Sequence, residues 1–249
     1  MNITGWPYTI VVDGDVEVGA QAWITVDFMM QPLNDTLEQV QYGIESFVAL
    51  AEAGGLGGDR LNPLQSTAML SQVAPAVQGA RYVWELTEIA IDPRSLIVLF
   101  NMLAFLGVDI RAIAVQASGL GPSVSFSTDD LPPMWPSVPF YIDDDRTGPN
   151  VEVQIEFAQD ISPSLHETVN DAIDAWLVCG MIKGYRDWSA PDDSSFLVPI
   201  TDPIFNFEDG NSLMGQFQDI GLVEECYDIF INMFIKLHPT TPIYSIEIL

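Results

Sequence analysis

The sequence predicts an α+β protein that contains the same folding unit twice. Residues 24–28, with the sequence ITVDF, are matched 129 positions later by residues 153–157, VQIEF. The matched pairs in the helix that follows are Val40 with Val169, Ile44 with Ile173 and Phe47 with Trp176. Toward the end of each unit the spacing is 131 positions, which brings Asn101 onto Asn232. Matches that keep their order with so little drift indicate an internal duplication.

Each unit is predicted to start with a strand and an amphipathic helix. Residues 23–28 and 151–157 alternate apolar with polar side chains, as strands with one buried face do. The motifs DTLE and SLHE, which begin at Asp35 and Ser164, have the spacing of capping boxes. In a capping box the first side chain accepts a hydrogen bond from the third amide of the helix. Apolar residues then recur at helical spacing in both segments.

A hairpin, a second helix and a closing strand complete each predicted unit. Gly79 and Gly210 mark the hairpin turns, because glycine adopts a positive φ without a steric penalty. The second helices are predicted over residues 94–106 and 222–237. The closing strands are predicted over residues 110–116 and 243–248. The order β-α-β-β-α-β is the ferredoxin-like pattern. Each copy also has an extra N-terminal strand, at residues 8–12 and 140–142.

The chain is therefore predicted to divide into two domains joined by a linker. The first ferredoxin-like copy spans residues 1–117 and the second spans residues 139–249. The intervening residues 118–138 contain four prolines, which fix φ and remove amide donors. This segment is expected to be an ordered linker without long regular structure. Its apolar residues, Trp135 among them, indicate that it lies against the protein.

The charge is strongly negative and limits the partners of the protein. The 249 residues include 35 Asp or Glu and 8 Lys or Arg, which gives a formal net charge of −27. So few cations cannot form a broad basic face. Direct binding of nucleic acid through such a face, and adhesion to anionic membranes, are therefore excluded. A basic protein is the partner that this charge favours. With 48% apolar residues the chain still has ample material for a folded core.

The start of the chain and its cysteines predict a cytoplasmic protein. We see no basic segment followed by a long apolar stretch, as a secretory signal needs. The longest apolar stretch is too short to span a bilayer. Cys179 and Cys226 fall in helical patterns of the second copy and are expected to be neighbouring, buried thiols in a reducing compartment.

The sequence predicts no metal site. His166 and His238 are isolated, and zinc needs three or four converging ligands, so both are expected to be structural. Residues 143–148, DDDRTG, resemble the front of a calcium loop with glycine at the sixth position. The twelfth position of such a loop, however, is Gln154 instead of a bidentate Glu.

The motifs favour a protein that is not an enzyme, and no cofactor is expected. The sequence contains no P-loop, dinucleotide-binding glycine motif, serine-hydrolase elbow or metalloprotease helix motif. The alternative is a small enzyme or ligand-binding protein with a cleft between the two copies. In that case Glu85, Glu88 and Asp92, near a strand-to-helix junction, are candidates for acid–base chemistry.

The predicted function is that of an acidic binding protein, an inhibitor or immunity-type protein that neutralises a basic partner such as a toxin or nuclease. The expected contact residues, in acidic turns and loop aromatics, are Asp13, Asp15, Asp143, Asp144, Asp145, Trp135, Trp188, Asp192 and Asp193. Carboxylates steer and pair with cations of a partner, and buried aromatics add affinity. A high-salt cytoplasm is another explanation for the charge, and the oligomeric state stays open.

Overall fold

The computed structural model describes residues 2–3, 6–106, 109–119, 131–185, 200–208, 210–219 and 222–249. The α-helices in these ranges are α1 Asn34–Glu52, α2 Leu96–Phe105, α3 Pro163–Met181 and α4 Glu225–Leu237. The strands of the first half are β1 Asn2–Ile3, β2 Thr9–Asp13, β3 Ala20–Phe28, β4 Thr67–Leu70, β5 Ala76–Gln78, β6 Arg81–Ala90 and β7 Ile110–Ala117. Those of the second half are β8 Tyr141–Asp144, β9 Asn150–Phe157, β10 Ile200–Glu208, β11 Ser212–Asp219 and β12 Ile243–Ile248. The predicted α+β class is confirmed.

The strands form two mixed sheets. Within the described ranges the first sheet has seven strands in the order β1-β2-β7-β3-β6-β4, with β5 also paired to β6. The second sheet has five described strands in the order β10-β11-β9-β12-β8. In the first sheet β2 runs parallel to β7, and the pairs β7–β3, β3–β6 and β6–β4 are antiparallel. The second sheet repeats these directions, with β8 parallel to β12 and the remaining pairs antiparallel.

The helices lie between the two sheets. Each sheet buries one face, as the alternation of residues 23–28 and 151–157 predicts: Ile24, Val26 and Ile155 are fully buried. Nine of the ten residues of α2 are buried, so this helix is covered on all sides. Helix α1 packs against α3, and the buried residues of both halves join in one contiguous cluster. The layers therefore run sheet, helices, helices, sheet.

The predicted capping boxes are wrong. Helix α1 begins one residue before Asp35, and α3 begins at Pro163, one residue before Ser164. The residues at the caps are Leu33 and Ser162, and neither side chain bonds a helix amide. Proline at the first helical position has the φ that the helix needs, and the amide it lacks would have no partner within the helix, which explains the earlier start of α3. Asp35 instead lies in the first turn, where its charge favours the helix dipole.

The predicted turns fall where the glycines indicate. Gly79, between β5 and β6, has φ of +64°, and Gly210, between β10 and β11, has φ of +78°. At the ends of α1 and α3 the left-handed residues are Gly54, with φ of +94°, and Lys183, with φ of +59°. A lysine thus takes the conformation that glycine provides in the other half.

Two buried asparagines join the halves by reciprocal hydrogen bonds. The side chain of Asn101, on α2, donates to the Gly184 carbonyl in the loop after α3, at 3.1 Å. The side chain of Asn232, on α4, donates to the Gly57 carbonyl in the loop after α1, at 3.3 Å. The Oδ1 atom of Asn101 accepts from the Trp6 indole at 3.1 Å, and that of Asn232 accepts from the Trp135 amide at 2.9 Å. Each half thus holds the loop of the other.

Glycines permit the close approach that these bonds need. A Cβ atom on Gly184 would lie 2.9 Å from the Val98 side chain on α2, and one on Gly55 would lie 3.1 Å from the Ile229 side chain on α4. Gly55 and Gly184 are 129 positions apart, and Val98 and Ile229 are 131 apart. The same pairs of positions meet in both directions, so the junction has approximate two-fold symmetry.

Replacing either asparagine should destabilise the whole molecule. Asn101→Ala and Asn232→Ala each leave buried donors and acceptors unpaired across the junction, and each should lower the free energy of unfolding by about 1–3 kcal/mol. Urea unfolding followed by circular dichroism measures this, with Asn206→Ala on the exposed side of β10 as the control. Losses no greater than that of the control would show that the junction does not depend on these side chains.

Candidate functional site

A groove lies between α1 and α3 and is also lined by the end of α4. Its cavity volume is about 700 Å³, which lies in the range of ligand sites. Its lining residues come from both halves and are Tyr42, Glu45, Ser46, Ala49, Glu52, Ala53, Thr168, Asp171, Ala172, Asp174, Ala175, Val178, Lys236 and Leu237. The groove therefore lies at the junction of the two units.

Small residues leave this space open between the helices. Ser46, Ala172 and Ala175 are buried at the bottom, and their short side chains do not fill the gap between the helix axes. Equivalent positions of the two helices line it, since Tyr42 and Glu45 lie 129 positions before Asp171 and Asp174. The sequence analysis places a cleft between the two copies in its alternative function but names none of these lining residues. The signal that could have found it is the coincidence of small and acidic residues on one helical face in both halves of the chain.

The rim of the groove is acidic. Glu52, Asp171 and Asp174 are exposed, and the half-buried Glu45 accepts a hydrogen bond from Gln41 at 2.7 Å. The lining cation, Lys236, directs its ammonium to the Ser66 carbonyl of the first half. Burial lowers the pKa of Lys236, and nearby Glu52 opposes this shift. The carboxylates at the rim thus outnumber the lining cation four to one.

The first predicted acidic turn is partly built into the sheet. Asp13 is the last residue of β2, is exposed, and pairs with Gln116 of β7. Asp15 forms an isolated bridge with Gly119, and its carboxylate accepts the Glu17 amide at 2.8 Å. Of these two carboxylates, Asp13 is the one that faces solvent without an observed local role.

The second predicted acidic turn is engaged by an arginine of the chain itself. Strand β8 extends two residues beyond the predicted 140–142, so Asp143 and Asp144 belong to the strand. Asp144 accepts two hydrogen bonds from Arg146, at 2.6 and 2.7 Å. The guanidinium also lies 3.7 Å from the centroid of the Tyr227 ring. Asp143 and Asp145 remain exposed.

The predicted aromatic contacts differ in their placement. Trp135 is half-buried against the core, and its amide binds Asn232, so much of its ring contributes to packing within the chain. Trp188, Asp192 and Asp193 lie outside the described residues. None of the cavities found among the described residues is lined by Trp135 together with an aspartate of the two predicted acidic turns.

Asp92, a candidate acid in the alternative function, is fully buried. Its carboxylate accepts two side-chain hydrogen bonds from Arg94, at 3.1 and 3.0 Å, and a main-chain bond from Arg60 at 3.3 Å. Arg94 also pairs with Asp59. Burial raises the pKa of Asp92, and the main-chain hydrogen bonds from Arg94 and Arg60 oppose this rise. The network ties the loop after α1 to the start of α2.

The thiols and histidines have structural surroundings. Cys179 and Cys226 are free and fully buried, and burial raises the pKa of both thiols. His166 stacks on Phe207 with ring centroids 4.0 Å apart, and His238 Nδ1 accepts the Ile243 amide at 3.1 Å. Among the described residues, no three His, Cys, Asp or Glu side chains converge as a metal site. Nor is any described helix long and apolar enough to cross a membrane.

The buried Asp92 should make stability depend on pH. Because its native pKa is raised, the native state holds a proton that the unfolded chain has lost at pH values between the unfolded and the native pKa. Its contribution is therefore complete below the ordinary carboxyl pKa of about 3.9 and is lost as pH rises through the native pKa. In urea unfolding above about pH 4, Asp92→Asn should reduce the fall of stability with pH, by up to about 1.4 kcal/mol per pH unit. A slope equal to those of the wild type and of Asp143→Asn would contradict this.

The two thiols should be protected from reagents in the native state. Ellman's reagent reacts with a thiolate that it can reach. Burial keeps the reagent away from Cys179 and Cys226 and, by raising their pKa, keeps both thiols protonated. We expect no reaction before unfolding and two equivalents of released thionitrobenzoate in denaturant. The single variants Cys179→Ala and Cys226→Ala assign the residues. Rapid modification of either thiol in the folded protein would show that its site opens readily.

Comparison with known proteins assigns no family to this chain. No protein-family model matches it, and no curated protein matches it. Among solved structures, it is similar to a conserved protein from Enterococcus faecalis V583, with 8% identity, a TM-score of 0.23, and coverage of 96% of this chain and 79% of that one. It is also similar to the periplasmic protease PqqL from Escherichia coli, with 9% identity, a TM-score of 0.18, and coverage of 93% of this chain and 35% of that one. Likeness at this level defines neither the fold nor the function.

Proposed function

We propose that this protein binds and neutralises a basic protein, as an inhibitor or immunity-type protein against a toxin or nuclease. The observation that carries the proposal is the excess of carboxylates, which the chain's own cations cannot neutralise: the net charge is −27. Several of those cations are already bound within the molecule, as in the pairs Arg60–Glu17, Arg81–Asp27 and Arg146–Asp144. The remaining negative field favours a cationic partner and disfavours nucleic acid or anionic lipid.

The proposed mechanism is occlusion of the functional surface of the partner. Long-range attraction raises the rate of encounter, and direct pairs of carboxylates with Lys or Arg fix the orientation. Apolar contacts at the centre of the interface supply most of the affinity. The two free thiols, Cys179 and Cys226, favour action in a reducing compartment such as the cytoplasm.

We further propose that the fold is a duplication of a ferredoxin-like unit with an extra N-terminal strand. The matched strand orders, with β2-β7-β3-β6-β4 corresponding to β8-β12-β9-β11-β10, support it. The reciprocal bonds of Asn101 and Asn232, which the internal alignment pairs, support it independently.

Binding of a small ligand in the groove between α1 and α3 is the second candidate. The groove favours it because pockets of about 700 Å³ at the junction of two units are common ligand sites. Its carboxylates restrict such a ligand to a cation, since a phosphorylated or carboxylated compound would be repelled. Titration with small organic cations separates this candidate from protein binding.

The main proposal predicts a partner whose binding weakens with salt. Affinity capture from the host lysate at low salt should retain a basic protein, and about 0.5 M salt should weaken its retention, because salt screens exposed charges. The partner, once purified, should bind in calorimetry, and its activity should fall on binding. If the captured protein neither binds in purified form nor loses activity, the proposal fails. Retention unchanged by salt would contradict its electrostatic basis.

A further inference from the structure

We propose that the groove between α1 and α3 binds an amphipathic, basic helix of the partner protein. This inference rests on the proposed function and specifies its binding site and the chemistry of the bound segment. It places the contact at the junction of the two halves and not at the acidic turns that the sequence predicts. The groove is built by segments of both halves, so a bound helix would contact the two units at once.

The shape of the groove suits a helix. Its α1 wall runs from Tyr42 to Ala53, which at 1.5 Å per residue spans about 16 Å, or three helical turns. The α3 wall covers a similar length, from Thr168 to Val178. Two walls of this length, with space between them, can accept one face of a third helix, as other helix-binding grooves do.

The base of the groove supplies the apolar contact. Ala49 on α1, Ala53 directly after it, and Ala172, Ala175 and Val178 on α3 present small aliphatic side chains. Ala49 is exposed although it lies between two helices, so this surface is incompletely covered within the chain. Leucine-sized side chains at i, i+3, i+4 and i+7 of a bound helix would fill the space that these short residues leave.

The rim supplies the charge selection. Glu45 and Glu52 on α1 are seven positions apart, and Asp171 and Asp174 on α3 are three apart, so each pair lies on one face of its helix. The carboxylates on both sides match a helix that carries Lys or Arg on both flanks of its apolar stripe. Lys236 lies close to Glu52 and donates to the Ser66 carbonyl, so one cation faces the four carboxylates of the rim and leaves them in excess. An acidic segment would meet repulsion from both walls.

The test uses synthetic peptides and matched variants of the full chain. The probe is a fluorescein-labelled peptide of about 18 residues with leucine and alanine on one helical face and lysine and arginine on its flanks. A scrambled peptide of the same composition keeps the charge but loses the amphipathic pattern. Fluorescence anisotropy gives the affinity for the wild type and for two pairs of variants. Asp171→Asn/Asp174→Asn is matched with Asp143→Asn/Asp145→Asn, and Ala49→Trp with Ala76→Trp.

The expected pattern separates the groove from general attraction. The amphipathic peptide should bind about tenfold more tightly than the scrambled one. Asp171→Asn/Asp174→Asn should weaken binding about fivefold or more, and Asp143→Asn/Asp145→Asn less than about twofold. Ala49→Trp should fill the groove and weaken binding about tenfold without a change of charge, whereas Ala76→Trp, on the exposed β5, should not. Unchanged thermal unfolding of the variants confirms that the substitutions act on binding.

The outcomes distinguish this inference from the proposed function. Equal binding of both peptides, or equal weakening by the two aspartate pairs, would overturn the groove as the site and leave capture of a basic partner intact. Peptide binding confined to the groove, without a basic partner that is inhibited, would support the site and overturn the proposed function. Small organic cations whose binding Ala49→Trp abolishes, and which displace no peptide, would place the peptide outside the groove and overturn it as the helix site.

Discussion

The structure depends on hydrogen bonds that each half makes to the backbone of the other. Asn101 and Asn232 reach into the loops that follow α3 and α1, and a buried amide left without these partners would be costly. Gly55 and Gly184 bring the helices close enough for the bonds to form. The two sheets therefore share one core instead of forming two separate ones. The junction constrains both halves, because each half is both a donor and an acceptor across it.

This junction also determines where the groove lies. The buried α2 and α4 carry the asparagines, while α1 and α3 meet with small residues between them and keep one face exposed. Larger side chains at Ala172 and Ala175 would close the groove and give a continuous helical layer. The carboxylates at the rim repel one another, and the packing of α1 against α3 does not require them. Small residues beneath acidic ones are consistent with a surface that receives a cationic, partly apolar segment.

Several of the cations that the structure describes occupy structural positions. Arg94 binds the buried Asp92 beside α2, and Arg146 joins Asp144 to the ring of Tyr227 on α4. Lys236 and Lys183 lie at the ends of the helices near the junction. Cations used in this way stabilise loops and helix ends, and Lys236 offsets only part of the negative charge at the rim of the groove. The negative field of the protein therefore comes from surface carboxylates that these cations do not pair with.

The sequence by itself determined the α+β class, the alternating strands, and the turns at Gly79 and Gly210, because each depends on periodicity or backbone freedom within a few residues. It also paired Asn101 with Asn232, although their role was not evident from the alignment. Tertiary structure alone decided that these asparagines join the halves, that Arg146 engages Asp144, and that small and acidic residues of α1 and α3 face one groove. Those contacts join residues far apart in the chain, so their partners are set by how the layers pack, which local patterns do not encode.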